Sequence, residues 1–340
     1  MREEVTVMKK VLITGALGQI GSELTERLRK DLGVKNVIST DIRTVEGSPV
    51  VENGQFEELD VTNYENFLDM AKRYEVDTII HLAALLSATA EKRPAFAWNL
   101  NMTGLMNALE VAREIGPETK FFAPSSIAAY GPDAEPDNTP QDTVMHPTTM
   151  YGVTKVAGEL LENYYHEKYG VDTRSVRFPG LISYKVEPGG GTTDYAVDIY
   201  YEALKNKSYT SFIDKGTYMD MMYMDDAIEG IVKLMNADAS RLEHRNSFNI
   251  TAMAFEPEQI AASIKRRIPD FEMKYDVDPV RQGIANSWPN SIDDSDARKE
   301  WDFNPHFDLD KMTDEMLERL SEKFEAEGVE TKISFGKVNS

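Results

Sequence analysis

The chain has 340 residues, room for about two domains with a sizeable core at roughly 100 to 200 residues per domain. It has no cysteine, which excludes disulfide frameworks, thiol nucleophiles and cysteine-ligated zinc or clusters. With 37 Lys and Arg against 58 Asp and Glu the formal charge is −21; lacking a local basic stripe, such a chain repels a nucleic-acid backbone, and the acidity reads as a solvated surface.

Met1 to Lys10 carries no apolar leader, and no later run approaches the roughly 20 apolar residues of a membrane span, so a soluble cytoplasmic protein with no membrane partner is expected. Val11-Leu12-Ile13 reads as a strand that stops at Thr14-Gly15, and Ile20, Leu24 and Leu28 then recur at helical spacing. Asn36 to Asp41 is the second predicted strand, Asn66 to Arg73 a helix, and Thr78 to Leu82 a further strand. Leu105, Ala108, Leu109 and Ala112 mark one face of a helix over Asn101 to Arg113, followed by a strand at Lys120 to Ala123. This alternation predicts an α/β fold of the Rossmann type: a doubly wound parallel sheet with right-handed crossovers that binds ligands at the carboxyl ends of its strands.

A long helix over Tyr151 to Tyr169 is followed by a strand over Thr173 to Phe178 and a break at Pro179-Gly180. Pro188-Gly189-Gly190-Gly191 reads as a mobile loop, a candidate gate, because three consecutive glycines maximise backbone freedom. Met224 to Leu234 is helical, Ser247 to Ile250 a strand, and Leu309, Met312, Met316, Leu320 and Phe324 stripe a last helix. The expected division is a nucleotide-binding domain over 9–180 plus about 216–251, with a smaller interleaved α/β substrate lobe from about 181–215 and 252–330. The five histidines, His81, His146, His166, His244 and His306, lack the close spacing of metal ligands on one helix face, and no metal is expected.

Gly15-Ala16-Leu17-Gly18-Gln19-Ile20-Gly21 joins a strand to a helix. Glycines there let the backbone approach a pyrophosphate, whose charge sits at the positive helix N-terminus. Asp41 lies 20 residues beyond Gly21 at the end of the next strand, where a carboxylate accepts hydrogen bonds from the adenosine ribose and repels a 2′-phosphate, favouring NAD over NADP. Arg43 reads either as a solvated arginine or as a phosphate ligand, and Asp60, ahead of Val61, either as an adenine contact or as a helix N-cap. Tyr151 and Lys155 stand at i and i+4 on one helix, with Ser126 25 residues earlier just past a strand. A phenol titrates near 10, and a neighbouring ammonium favours its ionised form, a general base able to take the proton of an alcohol as its hydride leaves.

Together with His81-Leu82-Ala83-Ala84, Asn101-Met102-Thr103-Gly104, Ser125-Ser126-Ile127-Ala128-Ala129-Tyr130-Gly131 and Tyr223-Met224-Asp225-Asp226-Ala227, these residues resemble the extended short-chain dehydrogenase/reductases, the group of nucleotide-sugar epimerases and their relatives. Within that group, Arg177 to Ser183, Pro188 to Ala196, Met221 to Asp226 and Ser287 to Ser295 look like the metal-independent L-threonine 3-dehydrogenases. The resemblance implies oxidation of L-threonine with hydride transfer to NAD. Tyr151 would be the general base, Lys155 its electrostatic partner and a ribose ligand, and Ser126 an orienting donor. It also implies a cofactor site that takes in Gly15, Gly18, Gln19, Ile20, Gly21, Asp41, Ile42 and Arg43, then Asp60, Val61, Leu82, Ala83, Ala84 and Asn101, and finally Phe178 and Leu181. For the zwitterionic substrate the candidates are Ser87, Gly191, Thr192, Thr193 and Trp288, the last reading either as a core tryptophan or as a cover over the substrate methyl. A homodimer through the Asn101–Arg113 and Tyr151–Tyr169 helices is implied as well. Two other functions use the same features: a nucleotide-sugar epimerase or dehydratase, with Lys185 and Arg281 as candidate diphosphate ligands, and an NAD-binding sensor without turnover.

Overall fold

The computed structural model describes residues 8–187, 189 and 191–335. Pro188 and Gly190, half of the expected glycine-rich gate, lie outside the described residues. A six-stranded parallel sheet forms the centre, built from β1 (Val11–Thr14), β2 (Val37–Asp41), β3 (Phe56–Glu58), β4 (Thr78–His81), β5 (Lys120–Phe122) and a strand at Asp172–Arg174, in spatial order β3-β2-β1-β4-β5 with Asp172–Arg174 beside β5. This is the expected α/β Rossmann-type architecture, with strand order reversing between β1 and β4. β1 is buried on both faces because helices cover the sheet on each side: Leu24 and Leu28 of helix Gln19–Leu32 pack with Val11 and Ile13, while Leu105, Ala108 and Leu109 of helix Gly104–Ile115 pack with Leu12 and Ile79.

The strand expected over 173–178 is two strands. Pro124, which has no N–H, ends the ladder of β5, and the chain resumes as β6 (Ser125–Ser126) in another sheet. The facing strand divides in step at Ser175, whose Oγ donates to the Ala123 carbonyl at 2.6 Å. Asp172–Arg174, β7 in chain order, stays with β5, whereas β8 (Val176–Phe178) pairs with β6. β9 (Gly180–Ile182) follows, then β10 (Ser208–Ser211), β11 (Met219–Tyr223), β12 (Phe248–Asn249), β13 (Met253–Phe255) and β14 (Glu272–Tyr275). They form three small sheets ordered β12-β8-β6, β13-β11-β9 and β10-β14.

Helices at Tyr195–Asn206, Pro257–Arg267 and Leu309–Glu327 enclose a second core with Tyr195, Tyr200, Phe255, Ile264, Met316 and Leu320 at its centre. The first lacks a clean apolar period, because Tyr195–Asn206 buries eight of its twelve residues and is apolar nearly all round; Pro257–Arg267 carries Ile260, Ala261 and Ile264 at helical spacing, with Pro at its first turn and a Glu256/Gln259 capping box. No helix of the described residues is long and apolar enough to cross a membrane.

Candidate active site

Each feature at the carboxyl edge of the central sheet has a local cause. Gly15 leaves β1 with φ of +68°, and an added Cβ there would stand 2.7 Å from the Ala83 nitrogen; at Gly21 it would stand 2.2 Å from the Gly15 oxygen. The turn therefore folds flat against β4 and the helix start. Gly18 caps helix Gln19–Leu32 with no side-chain acceptor, and the first turn carries no acid, so the positive helix end is left for an external anion. Asp41, at the end of β2, accepts the Leu17 N–H at 3.0 Å and the Ile42 N–H at 2.8 Å, which joins the turn to the edge of β2.

Tyr151 and Lys155 occupy the first two turns of helix Met150–Tyr169. Thr149 caps it, its Oγ1 accepting the Gly152 N–H at 3.1 Å, and Gly170 ends it in the left-handed region. Gly152 lets this end approach the Ile127–Ala129 turn, where a Cβ would meet the Ala128 oxygen at 2.2 Å. The Lys155 Nζ donates to the Pro124 carbonyl at 2.5 Å and lies 5.3 Å from the Tyr151 ring centroid. Ser126 pairs with Phe178 across β6 and β8, and its Oγ accepts the Ala128 N–H at 3.2 Å, which leaves its own hydrogen free to be donated.

Beneath this edge runs a buried ion pair. Glu159, one turn beyond Lys155, bonds Arg177 at 2.9 and 2.8 Å and accepts the Ser125 hydroxyl at 2.5 Å, while Arg177 also reaches the Tyr130 hydroxyl and the Gln141 carbonyl. Burial opposes ionisation of Arg177, but the Glu159 charge and these hydrogen bonds outweigh it and hold the guanidinium charged. His81 is the reverse case. Burial first, and then the Lys155 charge, push its pKa down to about 3, so the neutral ring stays bonded to Thr14 Oγ1 at 2.9 Å.

A cavity of about 260 Å³ gathers Gly15, Gly18, Gln19, Ile20 and Gly21 with Leu82, Ala84, Ser87, Ser126, Tyr151 and Lys155, and then with Phe178, Leu181, Gly191, Thr192, Thr193 and Trp288. Seven candidates lie off its wall. Ala83 and Asn101 line a smaller cavity of about 40 Å³ behind Lys155; the Asn101 amide bonds the Leu85 N–H and carbonyl and the Thr154 hydroxyl, so it positions the Leu85 strap. Asp41, Ile42 and Arg43 form the rim beyond β2, where Ile42 and Arg43 are exposed. Asp60 is exposed and bonds the backbone and hydroxyl of Thr62; the cap of the following helix is Asn63, not Asp60. Val61 is buried, its carbonyl accepting from Asn107.

The far wall belongs to the second half of the chain. Thr192 is buried and its Oγ1 has no hydrogen-bond partner, and the Trp288 Nε1 is likewise unpartnered. Trp288 is half-buried, packs with Ile127, Tyr130 and Ile292 on one side and with the second core on the other, and also lines the cavity, which joins the two readings made of it. Sequence reasoning missed Leu86, Pro124, Ser125, Ile127, Pro179, Gly180 and Asp194, which line the same space. One signal was present: an added Cβ at Gly180 would stand 2.7 Å from the Thr193 Cγ2, so the Pro179-Gly180 break exists to admit the Thr192–Asp194 turn against β9.

A glycine turn aimed at an uncapped helix end, opening into a cavity with Tyr, Lys and Ser, defines a Rossmann-type nucleotide-dependent oxidoreductase. Residues 11–251 match the NAD dependent epimerase/dehydratase family, and the chain belongs to that family. It is an NAD-dependent dehydrogenase, and the open helix end and glycine cradle fit that cofactor. The chain is 60% identical over 316 residues to an uncharacterized epimerase/dehydratase of Staphylococcus aureus, covering 93% of this chain and 98% of the relative. Among solved structures it resembles an L-threonine dehydrogenase from Clostridium difficile, at 66% identity and a TM-score of 0.92 over 94% of this chain and 99% of that one. It also resembles a monomeric L-threonine 3-dehydrogenase from a metagenome, at 41% identity and a TM-score of 0.86 over 91% and 98%.

Proposed function

We propose that this enzyme oxidises L-threonine at its β-carbon to 2-amino-3-oxobutanoate in threonine catabolism. The observation that carries the reading is the composition of the 260 Å³ cavity, whose lining brings Tyr151, Lys155 and Ser126 together with Thr192 and Trp288, residues whose Oγ1 and Nε1 are buried without hydrogen-bond partners. The likeness to L-threonine dehydrogenases points the same way.

NAD, when bound, supplies the hydride acceptor. Gly15, Gly18, Gln19, Ile20 and Gly21 hold its pyrophosphate, Asp41 with Ile42 and Arg43 its adenosine ribose, and Asp60 and Val61 its adenine edge. Leu82, Ala83, Ala84, Asn101, Phe178 and Leu181 form or support the rest of its trough. Tyr151 removes the proton of the substrate β-hydroxyl, and Lys155, fixed by the Pro124 carbonyl and 5.3 Å from the Tyr151 ring centroid, would reach the nicotinamide ribose. Ser126 spends its Oγ lone pair on Ala128 and its hydrogen on the substrate oxygen. Thr192, Thr193, Gly191 and Ser87 serve the carboxylate and ammonium, and Trp288 covers the methyl group and excludes water.

The nucleotide-sugar alternative needs free cations for a diphosphate. Lys185 is instead 2.8 Å from Glu26 and 3.7 Å from Glu23, and Arg281 stacks on Phe212 beside Asp278. Incubation with NAD and L-threonine is expected to produce NADH absorbance, and incubation with UDP-sugars none. The converse result removes the assignment.

A homodimer belongs to this reading. Val153, Leu160 and Tyr164 expose apolar surface on one side of helix Met150–Tyr169, beside the exposed Met106 of its neighbour. Sedimentation is expected to give a species of twice 38.4 kDa; a species of 38.4 kDa alone overturns it.

A further inference from the structure

A second cavity, of about 590 Å³, lies within the range of roughly 300–1,000 Å³ found for small-molecule sites. It shares no lining residue with the catalytic cavity. Its lining comes from the Ser22–Lys30 stretch of helix Gln19–Leu32, on which Ser22, Thr25 and Arg29 recur at helical spacing, from the short helix Pro49–Glu52 with its flanks, and from Lys185 and Val186. Leu17 also borders it; this residue belongs to the glycine turn and its N–H is held by Asp41, so the space adjoins the proposed cofactor cradle.

Arg29 stands in this lining without a counter-charge. It is 7% exposed, and burial pushes its pKa down with no carboxylate to oppose the shift. Its Nη2 donates to Ser39 Oγ and to the Gln55 carbonyl, both at 3.1 Å; its Nη1 reaches the Pro49 carbonyl only at 3.5 Å, and its Nε has no partner. Buried charges are ordinarily paired. The other buried arginines among the described residues obey that rule, Arg174 with Asp172 and Arg177 with Glu159, each at 2.8 Å. Gly54 makes room for the exception, since an added Cβ there would stand 2.5 Å from the Arg29 Cζ. One turn back, Thr25 is fully buried and its Oγ1 has no partner either. Lys30, exposed beside Arg29, is in no ion pair among the described residues, while Lys185 and Glu26 neutralise each other at 2.8 Å. In a chain of net charge −21, the lining of this space therefore carries two uncompensated positive charges.

We propose that this cavity binds a small amphipathic carboxylate, a chain of several carbons ending in one carboxylate group, with its head at Arg29, Thr25 and Lys30 and its chain along Leu17, Val34 and Val50. The carboxylate is the counter-charge that Arg29 lacks, and a guanidinium offers it donors in a fixed fork. An inorganic anion would leave the apolar part of the lining in water, and an uncharged chain would leave Arg29 unpaired, so both parts of the ligand are specified. None of the residues proposed for threonine oxidation lines this space, which makes it a second site and not an extension of the first.

The test is calorimetric titration of octanoate into the full-length protein, without NAD and with NAD saturating, beside acetate and 1-octanol. Octanoate is expected to bind one to one in both conditions, and acetate and 1-octanol about tenfold more weakly or worse. Arg29→Met keeps an apolar stem and removes the charge; it is expected to weaken octanoate by about tenfold or more and to leave 1-octanol unchanged. Lys30→Glu reverses a charge on an exposed side chain, is expected to weaken octanoate several-fold, and decides the matter if Arg29→Met fails to fold. Loss of octanoate binding on addition of NAD places the ligand in the cofactor trough and overturns the proposal. Equal binding of 1-octanol, undiminished binding in a folded Arg29→Met or in Lys30→Glu, or no saturable binding by the wild type overturns it as well.

Discussion

The two walls of the cavity are made by different means. The wall from the first half is mostly backbone: Gly15, Gly18 and Gly21 present bare main chain, and the helix end has no side-chain cap, which leaves its N–H groups for the proposed cofactor. The wall from the second half is mostly side chain, and it leaves polar atoms of Thr192 and Trp288 buried without partners. A backbone wall recognises a phosphate that many enzymes share. A wall of unpaired side chains is costly to keep and is worth keeping only where a particular ligand completes it. In the proposed function, specificity belongs to the second wall and chemistry to the line where the two meet.

The largest test removes the meeting point. Tyr151→Phe keeps the ring and its packing but deletes the only atom proposed to take the proton. Turnover measured by NADH absorbance is expected to fall by about 10²–10⁴, with NAD affinity retained. Near wild-type turnover would show that the phenol is not the base and that the line between the walls is somewhere else.

Next in size is a break in the backbone wall. Gly15→Ala puts a Cβ 2.7 Å from the Ala83 nitrogen at a φ of +68°, where L side chains are strained. A loss of stability of about 1–3 kcal/mol is expected, together with weaker NAD binding by fluorescence titration. If NAD affinity is untouched, the turn is not the phosphate cradle.

The same contrast explains what the sequence disclosed. The backbone wall is written in short local signals, three glycines between a strand and a helix with Asp41 at the end of the next strand, so the turn itself could be read from spacing, while Leu86, Pro124, Ser125 and Ile127 beside it could not. Ser126, Tyr151 and Lys155 were legible because two of them share one helix turn. Residue spacing alone said nothing of Thr192, Trp288 or Gly180, which meet only after 180 to 293 has folded around a core of its own; family resemblance supplied the first two. Glu159 and Arg177 were missed altogether, since a buried ion pair 18 residues apart leaves no period.

A smaller effect separates stability from function in the side-chain wall. Thr192→Val replaces an unpartnered hydroxyl by a methyl of the same shape, so Tm is expected to stay level or rise slightly. If that hydroxyl serves the substrate, kcat/KM for L-threonine falls by about tenfold while NAD binding does not change. A drop in Tm with unchanged kinetics would make Thr192 a structural residue and weaken the division between the walls.

The smallest effect sets the two halves against each other in pH. Asp220 is buried on β11, and burial, opposed by the Thr251 hydroxyl, raises its pKa to about 7 from an ordinary value near 3.8. The folded chain therefore holds a proton there that the unfolded chain releases at lower pH, and stability falls as pH rises from about 4 through 7. His81, in the other half, is pushed down to about 3; its unfolded form takes up a proton below about 6.5, so this group makes stability fall as pH drops from there towards 3. Between pH 6 and 8 the Asp220 contribution dominates and amounts to about 1 kcal/mol. Asp220→Asn, which keeps an oxygen for Thr251 but carries no charge, is expected to melt above wild type at pH 8 and to lose that advantage by pH 5. An advantage that is equal at both pH values would mean that the carboxyl is already ionised in the folded protein across this range, and that β11 carries no buried acid opposing the histidine of β4.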